Sequence, residues 1–165
     1  MQLVIGDDDT LHHPERHHAG HALAALIGAS RRSLWLRVPT LDALTDNAEV
    51  CSAIKRLALS SARVDIRILF DSADNAVRTG HRLIHLSRRL PSRIILRQTQ
   101  QDDSDAQLCF AIADGTGLFE ASGWPRPGRL DLCGHRLPRA PRLGKQFQEH
   151  WERAGGSSEL RELRL

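Results

Sequence analysis

Histidine is the most concentrated chemically able residue near the start of this 165-residue chain. In "HHPERHHAGH", His13, His17 and His21 fall at i, i+4 and i+8, so adjacent pairs on one helical face could share a metal ion. Three imidazoles spread along three turns do not converge on one ion, and no acidic or cysteine ligand is placed to finish the set. An exposed His-rich helix face is therefore expected, with no metal and no cofactor. Asp71 and Asp74 follow the end of an apolar stretch, where α/β proteins often place ligands; a loop with Asp74 as a helix N-cap is the simpler account. His81 and Arg82 stand side by side on a helical stretch and could contact a phosphate, although such pairs usually serve structure or face solvent. No GxGxxG, P-loop, GxSxG or HExxH spacing occurs. Gly115-Thr116-Gly117 is too short for a phosphate loop and reads as a hairpin turn. Trp35, Trp124 and Trp151 are too few and too scattered for a base-stacking platform.

Arginine supplies nearly all the positive charge: Lys55 and Lys145 are the only lysines, and the net charge is +3. The distribution is uneven. Residues 75–97 hold Arg78, Arg82, Arg88, Arg89, Arg93 and Arg97 with no acid, and residues 123–147 hold Arg126, Arg129, Arg136, Arg139, Arg142 and Lys145 against Asp131 alone. Clustered arginine suits phosphate or carboxylate ligands, and equally a solvated Arg-rich surface.

These residues must be carried by a regular set of elements. Pro14 suits the first turn of a helix reaching about Ala29, with Ala19, Ala22, Leu23, Leu26 and Ile27 as its apolar stripe. "SLWLRVP" and "VDIRILFD" alternate as strands, and a helix over about 46–61 lies between them. A helix over about 74–90 would align Arg78, Arg82, His85 and Arg89 on one side. Strands follow in "RIILRQT", "QLCFAIAD", "TGLFEAS" and near residues 130–133, then a helix over about 141–154 anchored by Leu143, Phe147 and Trp151. Helices between the early strands imply parallel neighbours, and the later meander implies antiparallel ones. The expected fold is a three-layer α/β sandwich, a mixed and mostly parallel β-sheet flanked by helices, with a leader at 1–10, one domain at 11–154 and a tail at 155–165.

The length suits one domain with a real core. No apolar run approaches the ~18 residues of a membrane span, so no membrane partner is expected. "MQLVIGDDDT" turns acidic too early for a secretory signal. Cys51, Cys109 and Cys133, odd in number and without CxxC spacing, fit buried thiols in a reducing cytoplasm.

The stretch "QLCFAIADG" (107–115) gives these elements a family likeness. Together with "RVPTLD", "VDIRILFDS", "GHRLIHLSRRLPSRIILR" and the closing "LGKQFQEHWERA", it resembles the phospholipase D-like superfamily, in particular its single-repeat bacterial members, over most of residues 11–154. Some domains of that type are attached to acetyltransferases, which makes an acetyltransferase domain a partner the resemblance suggests. In active members the equivalent strand carries HxKxxxxD followed by Gly. Its His attacks phosphorus, its Lys holds a phosphate oxygen, and a second copy from another repeat or subunit supplies the acid for the leaving group. Counting back from Asp114, the Lys position is Cys109 and the His position is Gln107. Neither the Gln amide nor the Cys thiol replaces a nucleophile paired with a phosphate-binding cation. None of the nine histidines is followed two residues later by lysine, so no shifted register restores the motif.

The resemblance thus implies a phospholipase D/nuclease-like fold with vestigial positions at Gln107, Cys109 and Asp114 and without the usual reaction. One expectation is a catalytically inactive module that binds nucleic acid or another phosphate polyanion through Arg78, Arg82, Arg89, Arg97, Arg126 and Arg129. The alternative is a protein-interaction or homodimerisation module, since single-repeat relatives dimerise. A phosphodiesterase with relocated residues, using Asp71, Asp74 or His81, ranks third.

Overall fold

The computed structural model describes residues 3–73 and 81–155. Its sheet has two unlike halves, and the connections explain the difference. Strands β1 (Ser33–Thr40), β2 (Asp65–Ser72) and β3 (Ile94–Gln98) are separated by helices α2 (Ala48–Ser60) and α3 (Arg82–Arg89). A helical crossover returns the chain to the same end of the sheet, so β1–β2 and β2–β3 pair in parallel. Strands β4 (Phe110–Ala113), β5 (Gly117–Glu120) and β6 (Asp131–Cys133) follow one another through loops and pair antiparallel. β4 also lies antiparallel to β1, which gives one six-stranded sheet in the order β3-β2-β1-β4-β5-β6. The sheet is mixed, as expected. Parallel pairs are the minority, two of five, against the expectation of a mostly parallel sheet, because only the first three strands are joined by helices.

Alternation along the strands makes three layers. Leu34, Leu36 and Val38 of β1 pair in register with Ile66, Ile68 and Phe70 of β2 and belong to the core shared with α1 (Ala19–Ala29), α2 and α3. Leu69, Phe110, Ile112 and Leu118 face the other way, onto Leu143, Phe147 and Trp151 of α4 (Arg139–Arg153). Each such side chain contributes roughly 1.5–3 kcal/mol when fully buried. α1 approaches the start of α2 so closely that a Cβ on Gly20 would lie 2.5 Å from Asn47 Nδ2. That contact matters because Asn47 caps α2, accepting from the Val50 N–H at 3.0 Å.

Some element boundaries differ from the sequence expectation for local reasons. α1 starts at Ala19, after a 3-10 turn at Arg16–His18, while His12 bridges Leu132 and His13 bonds the Leu130 carbonyl. The segment ahead of α1 is therefore stitched to β6. β4 begins at Phe110, because Gln107 and Leu108 are held in a turn whose acceptors are the Asp105 carboxylate and carbonyl. α4 begins at Arg139, so Pro141 sits in the first turn, where its missing N–H costs nothing. The expected start of α3 at Asp74 lies outside the described residues. No helix among the described residues is long and apolar enough to cross a membrane.

Candidate functional site

The C-terminal ends of the parallel strands meet the loops around residues 41–46, 99–109 and 121–126. Asp42, just past β1, ties two of these loops together. Its Oδ1 accepts from the Leu44 N–H at 3.0 Å, and its Oδ2 accepts from Trp124 Nε1 at 2.7 Å. His81 is buried behind it. The Leu83 N–H donates to His81 Nδ1 at 3.0 Å, which caps α3 and leaves the ring hydrogen on Nε2. That nitrogen lies 2.8 Å from Thr45 Oγ1 and 3.3 Å from the Asp42 carbonyl. Burial pulls the His81 pKa down, with Asp46 and Asp42 opposing it, so the imidazole is neutral. His81 is thus a structural cap with its capacity for hydrogen bonding already used.

On the opposite face of the sheet, Arg37 is fully buried and pairs with Asp71, Nη2 to Oδ1, at 2.9 Å. Asp71 also accepts from Thr99 Oγ1 at 2.6 Å and from the Asp105 N–H at 3.0 Å. Arg37 donates further to the carbonyls of Val38 and Asp103. Asp103 in turn takes a two-pronged hydrogen bond from Arg153, which holds its carboxyl below the usual range. This network pins the end of α4 to the strand ends. Asp71 is therefore committed to a buried ion pair, and Asp74 lies outside the described residues.

The three vestigial positions occupy both ends of β4. Gln107 is exposed at its entry, where its carbonyl accepts from the Gly123 N–H at 3.2 Å. Cys109 is buried, 1% exposed, and its thiol is pushed up to about 12, by burial first and then by Asp42, with Arg37 opposing. At neutral pH the thiol stays protonated, which removes it as a nucleophile. Asp114 stands at the far end with φ of 51°. Its carboxylate accepts from the backbone N–H groups of Arg31, Arg32 and Ser33 at 2.7–3.2 Å, so it clasps the start of β1.

The candidate arginines do not form one rim. Arg78 lies outside the described residues. Arg82 is held by Asp46 through both backbone and side chain, and Arg89 is exposed at the end of α3. Arg97 is turned under α4, 4.5 Å from the Trp151 ring and bonded to the Trp151 carbonyl. Arg126 and Arg129 lie in the β5–β6 loop, which leads to the opposite edge strand of the sheet from β3. There Ser122, Arg129, Arg136 and Arg139 line a cleft of about 480 Å³, together with Glu120 and Asp131. Arg139 is bonded to Glu120 and Arg129 to Asp131. Ser122 adjoins Gly123, which touches Gln107, so this arginine cluster borders the entry to β4.

The histidines are dispersed: His13 bonds Asp131 and His21 bonds Glu49. Among the described residues one group, Glu15, His17 and His18, brings three ligand atoms within 4.8 Å of one another, all of it exposed. Two features were not visible in the sequence. Arg37 is an arginine within an alternating strand, which does not mark it as buried, and its partners come from positions 71 and 103. Two of the scattered tryptophans meet in space: Trp35 and Trp151 both stack on Phe147, at 5.2 and 5.8 Å, with Arg67 over each.

Comparison with solved structures places the fold among phospholipase D-like proteins. The chain is similar to Nuc of Salmonella typhimurium, a phospholipase D family member (TM-score 0.62, 14% identity, 90% of this chain and 96% of that one). It is similar to NucT of Helicobacter pylori (0.64, 15%, 90% and 98%). It is also similar to TrmBL2, an archaeal chromatin protein whose structure shows a novel mode of DNA binding (0.60, 13%, 92% and 54%). No curated protein matches the chain. A sequence profile matches residues 15–163, and by that match the chain belongs to the family described as a domain of unknown function, DUF7931.

Proposed function

We propose that this chain is a non-catalytic phospholipase D-like module that binds a phosphate polyanion such as nucleic acid. The observation that carries the reading is the pair Gln107 and Cys109. Where the resemblance puts a nucleophilic His and a phosphate-binding Lys, the chain offers a neutral exposed amide and a sealed thiol pushed up to about 12. Without an activated nucleophile and a cation to hold the phosphate, in-line displacement has no starting point. Beside that entry, Arg129, Arg136 and Arg139 stand against Glu120 and Asp131, an excess of one positive charge on an open cleft. A ligand with repeated negative charge gains from such a surface without needing chemistry there. The fold likeness to a DNA-binding chromatin protein supports the choice of nucleic acid.

The test is oligonucleotide binding by fluorescence anisotropy with wild type, R129A, R136A and the double variant. Each substitution should weaken binding across sequences and reduce the salt slope by about 1. Unchanged affinity and slope in the double variant would move the ligand elsewhere or remove it.

A further inference from the structure

The histidines near the start of the chain divide by what already holds them. His13 is bonded to the Leu130 carbonyl and to Asp131, and His21 to Glu49, so the set spaced i, i+4 and i+8 does not assemble. A different set does. The 3-10 turn Arg16–His18 is closed by the His18 N–H, which donates to the Glu15 carbonyl at 2.9 Å. Residues three apart eclipse in that geometry, so positions 15 and 18 share one side of the turn. His17 Nε2 lies 3.3 Å from Glu15 Oε2, and the His17 and His18 rings stand 4.0 Å apart between centroids. One carboxylate oxygen and two imidazole nitrogens thereby lie within 4.8 Å of one another.

That spacing suits a small cation. Zinc binds imidazole nitrogen and carboxylate oxygen at about 2.0–2.2 Å, so neighbouring ligand atoms around a tetrahedral ion lie about 3.4 Å apart. The Glu15–His17 pair already has this separation. His18 needs to close from at most 4.8 Å, which rotation about exposed side-chain torsions supplies. The backbone beneath is anchored on both sides: His12 bridges Leu132 ahead of the turn, and the buried Ala19 opens α1 behind it. Little backbone entropy is therefore lost when an ion arrives. Two imidazoles with one carboxylate favour zinc and its transition-metal neighbours over magnesium and calcium, which take oxygen ligands. Water completes the shell of such a three-ligand site.

We propose that Glu15, His17 and His18 bind one divalent ion of the zinc class, which ties the turn ahead of α1. The site shares no residue with the arginine cleft and is independent of the polyanion reading.

The test sets metal-free protein against a chromogenic chelator in competition for Zn²⁺. Wild type should bind one ion per chain. Glu15→Gln, His17→Ala and His18→Ala should each weaken binding by at least the ~10-fold typical of losing even an outer-shell partner. His21→Ala, which removes a histidine of the same run but outside the set, should leave binding unchanged. All three ligand side chains are exposed, so the variants keep the core intact. No zinc bound by wild type, unchanged binding in any of the three variants, or an equal loss in His21→Ala would overturn the proposal.

Discussion

Arg37 and Asp71 form an ion pair of 2.9 Å, with the Arg37 side chain fully buried at the ends of β1 and β2. Two carbonyls take further bonds from the guanidinium, and the Thr99 hydroxyl and the Asp105 N–H donate to the carboxylate, while Arg37 Nε is left as a buried donor without a partner among the described residues. Arg37→Met leaves the Asp71 carboxylate without its cation and should cost about 3–5 kcal/mol. The double variant R37M/D71N removes the orphan charge and should recover much of that loss. Urea unfolding midpoints of the three proteins measure it, and a double variant no better than the single would refute the pairing argument.

Asp114 is kept for a structural task, the clasp on the N–H groups of residues 31–33. Asp114→Ala should destabilise the fold by about 1–3 kcal/mol, because it orphans those donors and strains a residue at positive φ. Asp114→Asn, which keeps an acceptor and tolerates that backbone, should lose less. Thermal unfolding of the two variants checks the order.

His81 gives the fold a pH dependence of definite sign. Burial lowers its folded pKa below the unfolded value of about 6.5, so the unfolded chain binds the proton more readily. Its contribution is complete above about pH 6.5 and is lost as pH falls through the window below that. His81→Asn keeps an N-cap acceptor for α3 and should flatten this dependence. Urea midpoints at pH 7.5 and 5.5 for both proteins, measured as a difference, test it; an equal slope in the variant would assign the dependence to other groups.

Cys109 should be inert in the native protein. It is buried, 1% exposed, and its thiol is pushed up to about 12, while Cys51 is half-buried and pushed up to about 11. Labelling by a thiol reagent, read by peptide mass spectrometry, should leave Cys109 unmodified until denaturant is added. Rapid native labelling at Cys109 would contradict the sealed site.

The strands and helices were legible because their hydrophobic periods are clean: Leu34, Leu36 and Val38 alternate, and Leu143, Phe147 and Trp151 repeat every turn. The balance of parallel and antiparallel pairing was less legible, since a period does not say which edge of β1 receives β4. Candidate site residues fared unevenly for a physical reason. Gln107 and Cys109 were found by counting from Asp114, a local relation. The arginines were grouped by sequence proximity, and the fold puts Arg97 on the edge strand β3 and Arg126 in the β5–β6 loop. Arg37 escaped notice because its burial depends on Asp71 and Asp103, two partners brought in by other loops.

The central claim, binding without hydrolysis, is tested most directly by one titration. A labelled oligonucleotide is followed by anisotropy at about 50 and 200 mM salt, and the same samples are run on a denaturing gel after prolonged incubation. The account predicts an intact oligonucleotide whose affinity falls steeply with salt. Cleavage that co-purifies with the chain and disappears with Gln107→Ala, or no binding at the lower salt, would contradict it.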